Sequence, residues 1–382
     1  MQVPHGAKTW VEVSGSAVAH NISCLQASLG DQAGFCAVLK ANAYGHDLAL
    51  MTKLCVEQGV TRVAVDWIDE ALLVKQLAPS MTVFLLGMTP DERLIDVVRH
   101  EFIQTVYDAE TVHLLALQAA QIGKKAKVSL KAETGLNRQG LAPRQLDQLL
   151  DECVRLGDAI DVVAVGSHFA SAEDPGHPAN EAQLQAFQTA IERVQGRGFN
   201  PAYLHIACSA AAMIHPMSRF TMARVGIAMY GLWSSPELRR TVVLGKTAVD
   251  LQPALSWRTR IAQVKDVPSG SGVGYGATHV TNRPIRMAVL PIGYYDGMDR
   301  RMSNRSEVII RGRKCQILGN ICMNMCMVDV SAVPGVSRGD IATLIGRDGM
   351  HNISADDVAS AIGTINYEVV TRINPLLPRV IC

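Results

Sequence analysis

The sequence predicts an α/β protein: a (β/α)8 barrel of the TIM type followed by a C-terminal, mostly-β domain. Three observations carry that reading. Eight short apolar runs, separated by helical patterns, fill the first two-thirds of the 382 residues. After about Arg240 strand-like runs follow one another without long amphipathic helices. Unusual polar residues stand just after several of the early runs, at the strand ends where such barrels keep their chemistry.

The elements follow in chain order. A strand at the N-terminus, in 1–10 or at Thr9–Val13, is open to pairing with either domain. The Val-, Ile- and Ala-rich runs are 35–39, 62–66, 82–86, 103–107, 127–131, 161–167, 203–206 and 223–227. Near-continuous apolar character suits parallel strands buried on both faces. Helical patterns lie between them at 47–58, 91–99, 108–121, 144–156 and 181–195. In 91–99, Leu94, Ile95, Val97 and Val98 share one face; in 108–121, Asp108 and Glu110 make an acidic first turn, a helix-start signal. An open, doubly wound sheet is the competing architecture, and a count of eight strand–helix units favours the barrel. The second domain has strand-like runs at 257–264, 287–291, 307–310, 314–318, 327–330 and 341–345, parted by turns such as Ser269-Gly270 and Pro334-Gly335. The expected domains are 11–240 and 241–382.

Composition narrows the function. A formal charge of +1 offers nothing to nucleic acid or an anionic membrane surface. The longest apolar runs, such as 81–88, fall far short of the ~20 residues that span a bilayer. The first eight residues have no apolar core of a signal peptide, so a cytoplasmic protein, or the cytoplasmic module of a larger membrane protein, is expected. Nine scattered cysteines suit a reducing compartment. Cys322 and Cys326 form a Cys-x3-Cys pair inside an apolar strand with no further ligands to complete a zinc site, so no metal is expected.

The first run ends abruptly at Lys40, which delivers an amine to the mouth of the fold. Such an amine can condense with an aldehyde and then move protons. On the same rim stand Lys131, Glu133, Thr134, Asn137 and Arg138 after the fifth strand, His168 at the end of the sixth, Ser209 after the seventh and Arg224 in the eighth. A lone histidine is more often a satisfied core group; several such residues at one rim argue for a site. The loops after strands seven and eight are the usual phosphate site of this fold, and Ser209 with the amides of Gly226 and Ile227 offers donors there. A lysine plus a phosphate cradle suggests pyridoxal 5′-phosphate.

Taken in order, the motifs resemble the alanine racemase family over nearly the whole chain. They are Val38–His46, Lys131-x-Glu-Thr-Gly-Leu-Asn-Arg138, Ser167–Ala170, Arg224-x-Gly-Ile, Gly274-Tyr275-Gly276, Ile292–Gly297, Cys322-Met323 and Gly363–Glu368. The resemblance implies that Lys40 bonds the cofactor and is one of two acid/base groups. The other is implied to be Tyr275, on the opposite face and from the partner subunit of a homodimer, with His168 available to relay its proton. Arg224 is implied to face the cofactor's ring nitrogen, oriented by His168. Arg138 is implied to contact the cofactor's phenolic oxygen and the substrate carboxylate. Lys131 matches a lysine often carbamylated in the family. Tyr44, Ser209, Gly226, Ile227 and Tyr367 are implied to hold the phosphate, and Met323 and Tyr294 to contact substrate and narrow its path. The glycines of 269–276 have no strand–turn–helix around them, which excludes a dinucleotide fingerprint.

Two departures matter. Asn324 stands where the family commonly has Asp, and Cys208-Ser209 where it commonly has Asn-Ser. Loss of a carboxylate beside the substrate path relaxes discrimination against a polar side chain. A serine, or serine/alanine, racemase of the vancomycin-resistance type is therefore the alternative to alanine racemisation for peptidoglycan. An amino-acid decarboxylase shares the layout but wants a carboxylate at the ring nitrogen, which Arg224 opposes. A non-catalytic cofactor carrier leaves the second domain and Tyr275 without purpose.

Overall fold

The computed structural model describes residues 6–245 and 249–382, so the first half of an N-terminal strand at 1–10 lies outside the described residues. The chain divides into two compact units. One is Ser16–Ala43 with Leu48–Gln252; the other is the chain up to Gly15 with Tyr44–Asp47 and Pro253–Cys382.

After β1 (Thr9–Val13), the strands of the first unit are β2 (Gly34–Val38), β3 (Arg62–Val65), β4 (Thr82–Leu85), β5 (Ile103–Val106), β6 (Ala126–Lys131), β7 (Ile160–Gly166), β8 (Tyr203–His205) and β9 (Met222–Val225). They form one eight-stranded sheet in the order β8-β7-β6-β5-β4-β3-β2-β9, with every ladder parallel. These are the eight apolar runs, each matched to within two residues. Among the described residues no ladder joins β8 to β9. The seam is bridged by Thr221 N–H donating to the Leu204 carbonyl at 3.2 Å and Arg224 N–H to the Ala207 carbonyl at 3.0 Å. The sheet is thus a nearly closed barrel. Its strands bury both faces, since helices cover the outside and side chains fill the inside. Within the filling, Phe84 meets Tyr203 and His205 edge-on at 5.3 and 5.8 Å.

The helices start where the side chains allow. Helix Ala109–Ile122 opens with the Asp108 carboxylate accepting from Thr111 N–H at 2.7 Å and closes on Gly123 at φ 66°. Pattern 91–99 opens as a 3-10 turn, Asp91–Arg93, before α-helix Leu94–Arg99. Helices Gly15–Leu29 and Ile68–Leu77 lie outside the expected patterns.

The second unit is built on a ten-stranded sheet. Its later strands are β10 (Leu255–Arg260), β11 (Gln263–Val267), β12 (Gly272–Val273), β13 (His279–Val280), β14 (Ile285–Leu290), β15 (Glu307–Ile310), β16 (Arg313–Leu318), β17 (Cys326–Asp329), β18 (Ile341–Asp348), β19 (His351–Ile353) and β20 (Arg379–Ile381). The order is β11-β14-β17-β16-β15-β18-β10-β1-β20, with β19 on β18, while β12 and β13 pair apart as a hairpin. β1 thus joins this unit, antiparallel to β10 and parallel to β20. The expected strand 257–264 is two strands. β10 pairs with β1 and β18, β11 pairs with β14, and the chain changes partner at Ile261–Ala262. Nor do both cysteines of the Cys-x3-Cys pair lie inside a strand: Cys326 begins β17, and Cys322 precedes it on a turn closed by Cys322 N–H to the Met325 carbonyl at 2.9 Å. Among the described residues no helix is long and apolar enough to cross a membrane, and no cluster of ligand side chains could hold a metal.

Candidate active site

Lys40 does not end its strand. β2 stops at Val38, and Lys40 opens a short turn in which Ala41, Asn42, Ala43 and Tyr44 all have positive φ, at 56°, 52°, 52° and 53°. The turn closes with Ala43 N–H donating to the Leu39 carbonyl at 2.7 Å. A left-handed turn costs an L-residue other than glycine about 1–2 kcal/mol. Neighbouring side chains offset that strain. Asn42 N–H donates to Glu70 Oε1 at 2.9 Å, and the Asn42 side-chain oxygen accepts from Leu48 N–H at 2.8 Å.

Arg224, on β9 at the seam, is buried. Its guanidinium donates to the Ser167 carbonyl at 2.7 Å and the His205 carbonyl at 2.8 Å, and to Nδ1 of both His168, at 3.1 Å, and His205. An arginine only donates, so both Nδ1 atoms are acceptors and each imidazole carries its proton on Nε2. His205 Nε2 lies 3.4 Å from Ser129 Oγ, which takes that proton. His205 has room because β7 offers Gly166: a Cβ there would come within 2.3 Å of the imidazole.

Charge gathers around these rings. Burial, then the Arg224, Lys131, Arg138 and Lys40 cations in that order, hold His168 well below the ordinary histidine range. Burial and the same Arg224 and Lys131 charges do so for His205. The Lys131 amine is pushed well below the usual lysine value by burial, Arg224 and Arg138. Four basic side chains thus act against a charge on one neutral ring. The nearby carboxylate, Glu133, is turned to its own loop. Amides of Asn137, Gly135, Leu136 and Thr134 keep it ionised against its partial burial, with Gly135 N–H at 2.5 Å. The exposed Arg138 follows on that loop, which is stapled at its base by Leu141 N–H to the Lys131 carbonyl at 2.8 Å and Glu133 N–H to the Leu141 carbonyl at 3.0 Å.

Beyond the seam, Ser209 begins helix Ser209–Ile214 and accepts from Gly226 N–H at 2.9 Å. The Gly226 amide is therefore engaged with Ser209. The Ser209 hydroxyl hydrogen and the amide of Ile227, first residue of a 3-10 turn, are the donors this corner offers an anion.

The second unit assembles its own cluster. Tyr294 N–H donates to the Cys322 carbonyl at 3.1 Å and Tyr295 N–H to the Met323 carbonyl at 3.0 Å, which ties the Tyr294 turn to the Cys322–Met325 turn. Tyr275 stands on a 3-10 turn between β12 and β13, where the Asn320 side chain holds its carbonyl at 2.9 Å. Tyr275, Tyr294, Tyr295, Met323 and Met325 are exposed by 75, 44, 56, 56 and 53%. That is a large amount of apolar surface for neighbouring turns to show to water. Asn324 sits among them, half-buried. In the same unit, Tyr44 and Tyr367 face each other with ring centroids 6.1 Å apart.

His205 makes a pH dependence predictable. Folded, it is neutral because burial and Arg224 depress its pKa; unfolded, it takes a proton below about pH 6.5. The unfolded chain then binds more protons, so stability falls as pH drops below that point, by up to about 1.4 kcal/mol per pH unit for this group until the folded pKa is reached. Urea denaturation above and below about pH 6.5 is expected to show a steeper loss for the native protein than for His205→Gln, whose amide can keep both hydrogen bonds. Equal slopes would contradict the assignment.

Comparison with known proteins fits this arrangement. The alanine racemase N-terminal domain matches residues 13–234 and the alanine racemase C-terminal domain residues 254–381. The chain belongs to the alanine racemase family. An alanine racemase of Leptospira interrogans is 37% identical over 98% of this chain and 95% of its own length. The crystal structure of the alanine racemase from D-cycloserine-producing Streptomyces lavendulae superposes with a TM-score of 0.92 at 32% identity, covering 100% of this chain and 98% of that one. That of Bartonella henselae, with covalently bound pyridoxal phosphate, gives 0.85 at 25% identity over 98% and 100%. Family membership makes the chain a racemase, an isomerase, with pyridoxal 5′-phosphate as cofactor.

The residues present fit that cofactor. A cluster of Lys40, Lys131, Arg138 and Arg224, with its nearby carboxylate capped by backbone amides, complements a phosphate, a phenolic oxygen and a substrate carboxylate. Arg224 is fixed by carbonyls that accept but cannot take its proton, so it meets a ring nitrogen only as a donor. Glu133 stands on the expected rim, whereas His205, which shares Arg224 with His168, was not expected as part of the site. The signal for His205 was a titratable residue at the end of β8.

Proposed function

We propose that the chain interconverts L- and D-alanine with two bases. The observation that supports this most is the Arg224 guanidinium, fixed by the Ser167 and His205 carbonyls and by both imidazoles, on the strand paired with the one that leads to Lys40 and its strained turn. Bound pyridoxal 5′-phosphate supplies the electron sink that loosens the Cα–H bond of the amino acid. Lys40 carries the cofactor and moves a proton at its Nζ on one face. Tyr275 Oη, from a second copy of the chain, moves a proton on the other, so neither base has to cross the plane. Arg224 donates to the ring nitrogen and leaves it without a proton, which keeps the electron sink modest and favours return of the proton over side reactions. Arg138 holds the substrate carboxylate together with the Met323 amide. Ser209, held by the Gly226 amide, and Ile227 donate to the phosphate, and the family pattern adds Tyr44 and Tyr367. Tyr294 narrows the substrate's path. The exposed turns around Tyr275, Tyr294 and Met323 supply the apolar face that a homodimer would cover. The D-alanine serves peptidoglycan, and the enzyme works in the cytoplasm.

Asn324 favours a second activity, since a neutral amide near the substrate tolerates a hydroxyl. Loss of optical rotation, followed with L-alanine and L-serine, tests both. Alanine is expected to give the higher kcat/KM and serine a measurable one. A preference for serine would overturn the substrate, and a yellow protein that alters neither amino acid would overturn the activity.

Lys131 is proposed as a carbamylation site. Its neutral amine attacks CO2, an N–C bond forms, one proton leaves to water, and the resulting anion faces Arg138 and Arg224. Native mass spectrometry in bicarbonate is expected to show one CO2 that Lys131→Ala lacks, with kcat/KM about tenfold lower in the variant, equivalent to ~1.4 kcal/mol. An unmodified, fully active native protein would refute it.

A further inference from the structure

We infer that Glu70 is a positioning residue that holds Lys40 in place through the left-handed turn behind it; this rests on the reading that Lys40 carries the cofactor. Ala41, Asn42 and Ala43 sit at φ 56°, 52° and 52°. Asparagine tolerates that region, but the two alanines do not. Strain of this kind persists only where surrounding structure over-determines it.

Glu70 supplies the determination from another element. It lies in the first turn of helix Ile68–Leu77, which follows β3, the neighbour of β2 in the barrel. Its two carboxylate oxygens have separate partners. Oε2 accepts from Asp66 N–H at 3.2 Å and Trp67 N–H at 3.4 Å, the ordinary work of an acidic residue in a helix's first turn. Oε1 accepts from Asn42 N–H at 2.9 Å, in the middle of the strained turn. The Asn42 side chain then passes the constraint on, accepting from Leu48 N–H at the start of helix Leu48–Glu57. One carboxylate thereby joins the start of one helix to the turn that aims Lys40. A carboxylate does this and an amide cannot: glutamine has a single acceptor oxygen, so its NH2 group must face a donor on one side or the other.

Glycine gives a test that separates this role from helix capping. In the left-handed region glycine is at no disadvantage, so Ala41→Gly removes strain at an exposed position without touching Glu70. Apoprotein is mixed with pyridoxal 5′-phosphate. Attachment to Lys40 is followed by visible absorbance, borohydride trapping and peptide mapping, and amide exchange at Asn42 and Ala43 is measured without cofactor. Glu70→Gln is expected to attach cofactor about tenfold more slowly and exchange those amides about tenfold faster, the loss of one hydrogen bond to a charged acceptor. Glu70→Gln with Ala41→Gly is expected to attach within about twofold of Ala41→Gly alone. Unchanged attachment and exchange in Glu70→Gln would overturn the inference. So would a double variant as slow as the single one, the result expected if Glu70 only caps its helix. Cofactor trapped on the native protein at a residue other than Lys40 would overturn the functional reading instead, while the exchange measurements still decide whether Glu70 holds the turn.

Discussion

Lys40→Ala is expected to lower racemisation by at least about 10⁴-fold, because one side chain carries both the cofactor and one of the two bases. Tyr275→Phe is expected to cost about 10²–10⁴-fold, the usual worth of one acid/base group. The two enantiomers are mirror images, present in equal amounts at equilibrium, so kcat/KM must fall equally in both directions for either variant. The asymmetry appears elsewhere. When Tyr275 is replaced, removal of the Cα proton becomes slow for one enantiomer, and a primary deuterium isotope effect is expected to grow with that enantiomer. With the other, Lys40 still removes the proton readily, return on the far face is slow, and the isotope effect at Cα–H shrinks. Isotope effects that change alike for both enantiomers would show one base serving both faces.

Arg224→Lys is the second large effect. Lysine keeps the charge but loses the planar fork that reaches the Ser167 and His205 carbonyls and both imidazoles at once. At least two buried acceptors are left without their donor, each at about 1–3 kcal/mol, so unfolding free energy is expected to fall by about 2–6 kcal/mol. Racemisation is expected to fall about 10²–10³-fold, since the donor for the ring nitrogen is no longer fixed in direction. A variant with full activity and lowered stability would make Arg224 a structural residue only. Chemical denaturation and kcat/KM on one preparation separate the outcomes.

The barrel was legible in the sequence for a physical reason. Strands such as Thr82–Leu85 and Ile103–Val106 bury both faces, which leaves short unbroken apolar runs that little else produces. The rim was legible because Lys40, His168 and Arg224 interrupt or end such runs. What escaped was set by partners distant in the chain. Nothing in Lys40–Tyr44 announces a left-handed turn, since the hydrogen bond that holds it comes from Glu70. The break at Ile261–Ala262 depends on which strands lie beside it, not on its own residues. The Gly226 amide, expected to face a phosphate, is turned onto Ser209 by a contact across 17 residues. Tyr275 could be given a role only by resemblance, since its own surroundings are an exposed hairpin turn.

The turn after Lys40 has one more consequence. From Ala41 to Ala43 the backbone is the mirror image of an ordinary helical turn. The residue that fits there without strain, and without glycine's extra freedom in the unfolded chain, is a D-amino acid. A protein whose family racemises alanine thus carries, just beyond its cofactor lysine, a stretch of main chain with the handedness of the enantiomer that ribosomes do not use. Chemical ligation of a segment with D-alanine at 41 would make the chain more stable at the point where its own genetic code obliges it to be strained.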